Sequence, residues 1–295
     1  MQTMRVCANQ LVVLENYIDH TPQRKLMTTP FLPASGLLAS LDLLQVSVGG
    51  PVLHVRLNRS AKRNALSDPL IQQLHTVFVN LPEGVRAAVI SGEGSHFCAG
   101  LDLSELVARD IHSGVLHSRM WHAAFDAVQF GSVPVVAALH GAVVGGGLEL
   151  AAACHIRVAD DSTYYGLPEG QRGIFVGGGG AVRVPRLIGV SRMTEMMLTG
   201  HVYSAEEGQQ LGISHYLVKS GTGLEKAITL AKAIAGNAPV SNFAIMHALP
   251  RIAEMGHDQG MFMESLMAGI AASEPAAKQR LKDFLEKRAA KVKRD

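Results

Sequence analysis

Two runs of alternating apolar and polar residues, "LLQVSVGG" and "PVLHVRLN", meet at Gly49-Gly50-Pro51. Alternation with period two, broken by glycines and a proline, predicts a hairpin. The next stretch, "SDPLIQQLHTVFVN", switches to helical spacing, with Asp68 placed as a cap and Pro69 behind it. "AAVISG" is a short continuous apolar run, the mark of a buried strand. Residues 113–130 return to helical spacing, and "VPVVAALHG" is a second buried strand. Up to about residue 190 the order is strand, helix, strand, helix with short connections, which predicts an α/β protein. The texture then turns helical. "SAEEGQQLG" opens on a Ser204–Glu207 capping box, and "GLEKAITLAKAIAG", the Met-rich stretch 242–272 and "PAAKQRLKDFLEKRAAKVKRD" follow. Residues 1–42 have little periodicity and several breakers, so a poorly ordered extension is expected there. An α/β core over 43–220 and a helical region over 221–295 complete the expected organisation.

Composition narrows the function classes. The chain has 295 residues, 47% hydrophobic and 18% charged, which is the profile of a well-packed globule. Lys and Arg (27) nearly balance Asp and Glu (25), so no long-range field favours nucleic acid. The basic tail "EKRAAKVKRD" is the only feature that suits RNA, and a solvated helix end explains it as well. Three cysteines, Cys7, Cys98 and Cys154, are odd in number and far apart, which fits neither a disulfide framework nor a zinc site. A reducing, cytoplasmic setting is expected, and no signal-peptide layout is present. The apolar stretch 133–153 approaches membrane-spanning length, yet it contains His140, Glu149 and four glycines. It reads as a buried strand followed by a buried helix, and no membrane association is expected.

Candidate chemistry gathers where glycines stand between a strand and a helix. In "HGAVVGGGLELAAAC", Gly145-Gly146-Gly147 precede a helix whose first turn carries Glu149. Glycines there allow a ligand close to the backbone, where the free N–H groups of a helix start stabilise developing negative charge. Tight packing of helix on sheet, with Glu149 as an internal cap, explains the stretch equally well. The dinucleotide fingerprint and the Walker sequence are both absent. A second carboxylate, Glu169, follows Pro168 just before Gly177–Gly180, which raises the case for a paired acid–base site. An ion pair of Glu169 with Arg172 or Arg183 is the competing explanation. A third glycine-rich turn, "SGEGSHFCAGLDLSEL", would let the N–H of Leu101 point at a ligand after Gly100. His96 and Cys98 lack a third ligand at a matching spacing and read as loop packing. Arg59, Lys62 and Arg63 share one loop suited to phosphates, or to an ordinary solvated turn.

Together "KRNALS", "FCAGLDLSEL" and "HGAVVGGGLELAAACHIRVADDSTYYGLPEGQRGIFVGGGGAVRVPRLIG" resemble the crotonase (enoyl-CoA hydratase/isomerase) superfamily over roughly residues 43–290. The resemblance implies a spiral of ββα units with a C-terminal helical trimerisation region. It implies an oxyanion hole from the N–H groups of Leu101 and Gly146, and Glu149 and Glu169 as the catalytic pair of a hydratase. Lys62, Ala65, Leu66, Ala99, Asp102, Leu103 and Pro168 fall at substrate-binding positions. Phe284 and Lys287 resemble a pair that reaches the CoA of a neighbouring subunit. The implied partners are an acyl-CoA thioester and further copies of the chain, as a trimer or hexamer. No metal and no cofactor beyond the CoA of the substrate is implied. A double-bond isomerase, a hydratase with subsequent hydrolysis, and an RNA-binding family member are the alternatives. Val176 stands where many relatives have proline, and the stretch from Tyr164 to Gly200 is similar to the methylthioacryloyl-CoA hydratase branch. Met120 and Trp121 sit on a helix that caps the site in relatives, although plain core packing is the reading favoured here.

Overall fold

The computed structural model describes residues 30–105 and 110–286. The chain divides at Pro30, and the unit that follows is the one with structure to describe. It opens with β1 (Leu32–Pro33), β2 (Leu44–Gly49) and β3 (Val52–Leu57). The hairpin forms as its alternation requires, with β2 and β3 antiparallel and Gly50 at φ +60° in the turn. Structure therefore starts before residue 43. Leu32 pairs with Val48, and Leu38, in a short 3-10 turn, is buried. The remaining part of the expected extension, residues 1–29, lies outside the described residues.

Next come α1 (Asp68–Val79), β4 (Ala87–Gly92), α2 (Ile111–Gln129) and β5 (Val135–Leu139). The cap of α1 is Ser67 rather than Asp68. The Asp68 carboxylate instead turns across to α2, where His117 Nε2 lies 2.7 Å away and Trp121 Nε1 donates at 3.3 Å. The apolar stretch after Val133 divides into β5, β6 (Ala142–Val144) and α3 (Gly146–Ala153), a helix in which every residue is buried. Then follow β7 (Ile156–Asp160), β8 (Tyr164–Gly166), α4 (Gly180–Ile188), α5 (Val190–Thr199) and β9 (Val202–Ser204). The expected capping box at Ser204 and Glu207 is present and starts α6 (Ala205–Leu211). After β10 (Tyr216–Val218) the chain is helical: α7 (Gly223–Ala235), α8 (Pro239–Phe243), α9 (Leu249–Ile252), α10 (His257–Ser273) and α11 (Pro275–Leu285). A wide π turn over Ala244–Ala248 joins α8 to α9, close to Pro250, which has no N–H to give to a tighter helical ladder.

A seven-stranded sheet runs in the order β1-β2-β3-β4-β5-β7-β10, parallel from β3 onward. Strands covered on both faces read as near-continuous apolar runs, as β5 does throughout and β4 does up to Ser91. Val89, Val136 and Val158 face Ala227, Ala231 and Ala235 of α7, whose small side chains at every fourth position let the helix lie close to the sheet. The opposite face, with Val55, Ile90 and Ala137, shares the main core with Leu74 of α1, Phe125 of α2 and Leu150 of α3.

Above that core lies a second layer, the three strands β6-β8-β9. Single parallel bridges, Leu66 to Leu101 and Cys98 to Val143, extend it toward the turn before α1. This layer brings the three glycine turns side by side. The anchor of its outermost loop is Asn64, fully buried and left-handed at φ +55°, a conformation asparagine tolerates well. Its side chain donates to the carbonyls of Glu93 and His96 and accepts from the N–H of Arg59. Asn64→Ala strands these groups in the interior, so a loss of about 2–3 kcal/mol is expected in urea unfolding. Asn64→Asp, which turns an acceptor oxygen on the same two carbonyls, is expected to be no milder.

Among the described residues, no helix is long and apolar enough to cross a membrane. Cys98 and Cys154 are free and buried, and Cys98 Sγ packs against Gly147. His96 Nδ1 accepts from the N–H of Ala142, the loop-packing role its spacing suggests.

Candidate active site

Gly145 stands at φ +55°, ψ −125°, a conformation for which glycine is suited, and turns the chain from β6 into α3. The start of α3 leaves the N–H of Gly146 without a helical acceptor. Gly100, at φ +93°, packs against this turn: a Cβ on it would lie 2.7 Å from the Val144 carbonyl and 3.5 Å from the Gly146 nitrogen. The bridge between Leu66 and Leu101 fixes the next residue, with Leu66 donating to Gly100 and Asp102 donating to Leu66. Leu101 and Gly146 consequently line one cavity of about 320 Å³, together with Glu149, Glu169, Trp121, Ile174 and Val176.

The two carboxylates reach this cavity by crossing over. Glu149 follows the first glycine cluster, yet its Oε1 accepts from the N–H groups of Gly178 (2.8 Å) and Gly180 (2.7 Å) in the second. Glu169 precedes the second cluster, yet its Oε1 lies where a Cβ on Gly145 would approach it to 2.8 Å. A Cβ on Gly180 would likewise meet Glu149 Oε1 at 2.8 Å. Each glycine cluster thus makes room for the other segment's glutamate.

Burial shifts both carboxyls in the same direction. Burial raises the Glu149 carboxyl above its ordinary value, while the two backbone N–H bonds and the Arg183 charge pull it back. Burial likewise pushes Glu169 up to about 7, and the neighbouring Glu149 charge adds to the rise. Its Oε2 is buried with no hydrogen-bond partner among the described residues. Arg183, a sequence-level candidate for pairing with it, is paired with Asp126 instead. Two N–H donors hold Glu149 Oε1 as an acceptor, whereas Glu169 sits poised to keep its proton near neutrality.

This poise carries a stability cost with a definite sign. Between about pH 4.5 and 7 folded Glu169 binds a proton that the unfolded chain has released, so stability falls as pH rises through that window. Glu169→Gln removes the titration. It is expected to raise the melting midpoint at pH 8, by an amount on the order of 2–3 kcal/mol in stability, and to change little at pH 4.

The expected substrate-binding positions divide. Ala65 and Leu66 are buried beside the Gly100–Leu101 turn, Ala99 donates to the Arg63 carbonyl, and Lys62 and Leu103 are exposed. The Asp102 side chain has partners within its own loop. Its carboxylate is held at about 2 by the Ser104 hydroxyl and by Arg59, which donates at 2.8 Å, so side chain and arginine both serve the loop. Pro168 is half-buried next to Glu169. Phe284 is exposed on α11 and is not among the residues that line the cavity, and Lys287 lies outside the described residues. Trp121 is both core and wall: it is 4% exposed and lines the cavity with Gly114, His117 and Ser118 of the same helix. That spacing of three, four and seven was visible in the sequence; which of α2's faces meets the site was not.

A parallel-rich sheet, a stacked layer of glycine turns and a C-terminal helical region define a crotonase-fold enzyme. Residues 48–294 match the family model described as enoyl-CoA hydratase/isomerase, and the chain belongs to that family. It is 33% identical over 245 residues to the 2,3-dehydroadipyl-CoA hydratase of Escherichia coli K12, covering 80% of this chain and 93% of that one. The crystal structure of the "putative enoyl-CoA hydratase" of Rhodopseudomonas palustris CGA009 superposes with a TM-score of 0.83 at 55% identity, over 88% of this chain and all of that one. That of a Bacillus anthracis enoyl-CoA hydratase does so at 0.78 and 32% identity, over 83% and 97%.

Proposed function

We propose that the chain hydrates a short 2-enoyl-CoA thioester. The observation that carries this reading is the crossed pair, Glu149 and Glu169, lining one cavity with Leu101 and Gly146. The thioester carbonyl accepts from the N–H groups of those last two, so charge leaving the double bond collects on its oxygen. Glu149, ionised and fixed by Gly178 and Gly180, takes a proton from the water whose oxygen bonds to C3. Glu169, protonated, gives its proton to C2, on the same face. The pair then exchanges a proton to restore the starting state, and the step balances without a cofactor. Binding of the remote CoA along Lys62, Ala65, Leu66, Ala99 and Leu103, near Pro168, positions the acyl group. The loop carrying Asp102 is preformed by its bond to Arg59.

A cavity of about 320 Å³ suits a short acyl group, of which methylthioacryloyl is one, and Val176 shapes its wall. Exposed Phe262, Leu266, Ile270, Leu281 and Phe284 on α10 and α11 support a homo-oligomer, trimer or hexamer, in which Phe284 and Lys287 reach a neighbour's CoA. A cytoplasmic location is in keeping with the free, buried cysteines. The test is a panel of acryloyl-, crotonyl-, methylthioacryloyl- and long-chain enoyl-CoA ranked by kcat/KM, with product analysis. Formation of 3-hydroxyacyl-CoA from the short members supports the reading. A shifted double bond as the sole product, or RNA binding without turnover, overturns it.

A further inference from the structure

We infer that Arg183 is a positioning residue for Glu149, holding the turn that fixes this carboxylate and tying that turn to α2. The inference rests on the reading of Glu149 as the base. The guanidinium uses three of its nitrogens in three directions. Nη1 donates to the Gly178 carbonyl (3.0 Å), Nε to Gln129 Oε1 (2.6 Å) and Nη2 to Asp126 Oδ1 (2.5 Å). Gly178 is the residue whose N–H reaches Glu149 at 2.8 Å, so a single residue separates the arginine from the carboxylate. Gly179, at φ +96°, leaves the space that the guanidinium fills, since a Cβ there would collide with Nη1. The arginine side chain is 8% exposed, while that of Asp126 is 56% exposed. One end of the brace is therefore buried beside the site, and the other is anchored at the surface of α2.

The geometry serves two needs. A turn built of consecutive glycines has no side chains to stiffen it, so its N–H groups stay aimed at Glu149 only if an outside group holds its carbonyls. The fork of an arginine does this in a plane, as a lysine cannot. The positive charge also favours the ionised form of Glu149, in the sense a base requires. The other charged and titratable groups around this carboxylate are Glu169 from the facing loop, His117, His122 and Asp126 from α2, and Cys154 at the end of α3.

Behind the brace lies a second cavity of about 610 Å³, which Arg183, Asp126, Gln129 and Gly179 line from its inner wall. It opens a direct route for chemical rescue. In Arg183→Ala, kcat is expected to fall about 10- to 100-fold, the scale of a small misplacement of a reacting group, with KM for the CoA ester within about twofold. The acidic limb of the kcat profile is expected to move to higher pH. Guanidinium chloride, well below denaturing concentration, is expected to restore part of kcat, where sodium chloride at equal ionic strength does not. Arg183→Lys is expected to recover the position of the acidic limb but only part of kcat. Should Arg183→Ala fail to fold, the double variant Asp126→Asn/Gln129→Leu loosens the brace from its outer end, and the same fall in kcat at constant KM is expected. Glu149→Gln runs beside these variants. If it is inactive while Arg183→Ala and the double variant keep wild-type kcat and an unmoved acidic limb, the brace is refuted and the base reading stands. If Glu149→Gln is itself fully active, the base reading has failed first.

Discussion

Glu149→Gln and Glu169→Gln are each expected to lose about 10²- to 10⁴-fold in kcat on a short 2-enoyl-CoA, the usual worth of a general base or acid. The two losses should not multiply in the double variant, because both groups act in one addition and neither half proceeds alone. Glutamine keeps the volume and, in each case, an oxygen. At position 149 its amide oxygen still accepts from Gly178 and Gly180, so the fold around the site is expected to persist. KM should change little, since the loops proposed to bind CoA are on other segments. Stopped-flow loss of enoyl absorbance measures the chemistry directly. The two roles also separate by pH. The wild-type basic limb is expected near pH 7, where Glu169 gives up its proton, and activity falls as pH rises through it. Near-normal turnover in both variants would end the two-carboxylate reading. Loss in only one, on a 3-enoyl-CoA, would point to a proton shuttle and an isomerase.

The second large effect comes from a single methyl group. Gly180→Ala places a Cβ 2.7 Å from Glu149 Cγ and 2.8 Å from its Oε1, contacts that real side chains do not sustain. Gly180 lies at the start of α4 without a positive φ, so alanine costs no backbone strain and, by propensity, favours the helix by up to about 1 kcal/mol. The carboxylate must then move off its two N–H donors. A fall of about 10²-fold in kcat is expected, with the thermal midpoint within a few degrees of wild type. Circular dichroism and a melting scan provide the check on folding. If turnover were unchanged, the position of Glu149 between Gly178 and Gly180 would not be what catalysis uses.

Much of this arrangement is legible in the sequence because its signals are local. Alternation about Gly50 and Pro51, the buried runs of β4 and β5, and the Ser204–Glu207 box each depend on residues within one element, and each forms as expected. The glycine turns are legible too, since few other residues take the backbone of Gly100 or Gly145. What the sequence conceals is long-range. Nothing near Glu149 says that its partners lie 29 and 31 residues on, or that Glu169 leans back on Gly145. Asp68 has the local credentials of a cap, but two donors from α2 outcompete the helix start. Asp102 similarly gives no local sign that Arg59 folds beside it. Arg183 had too many possible carboxylates in sequence, and only the packing of α4 on α2 selects Asp126. The first strand escaped notice because two residues carry no period.

The crossing of the two glutamates has a consequence for anyone who would transplant this chemistry. A reaction centre whose groups each rest on their own loop can be moved loop by loop into another scaffold. Here either loop, moved alone, would bring a carboxylate without its cradle and a cradle without its carboxylate. The heritable unit is the interlocked pair of segments, from Val144 through Glu149 and from Gly166 through Arg183, and the helix that braces it.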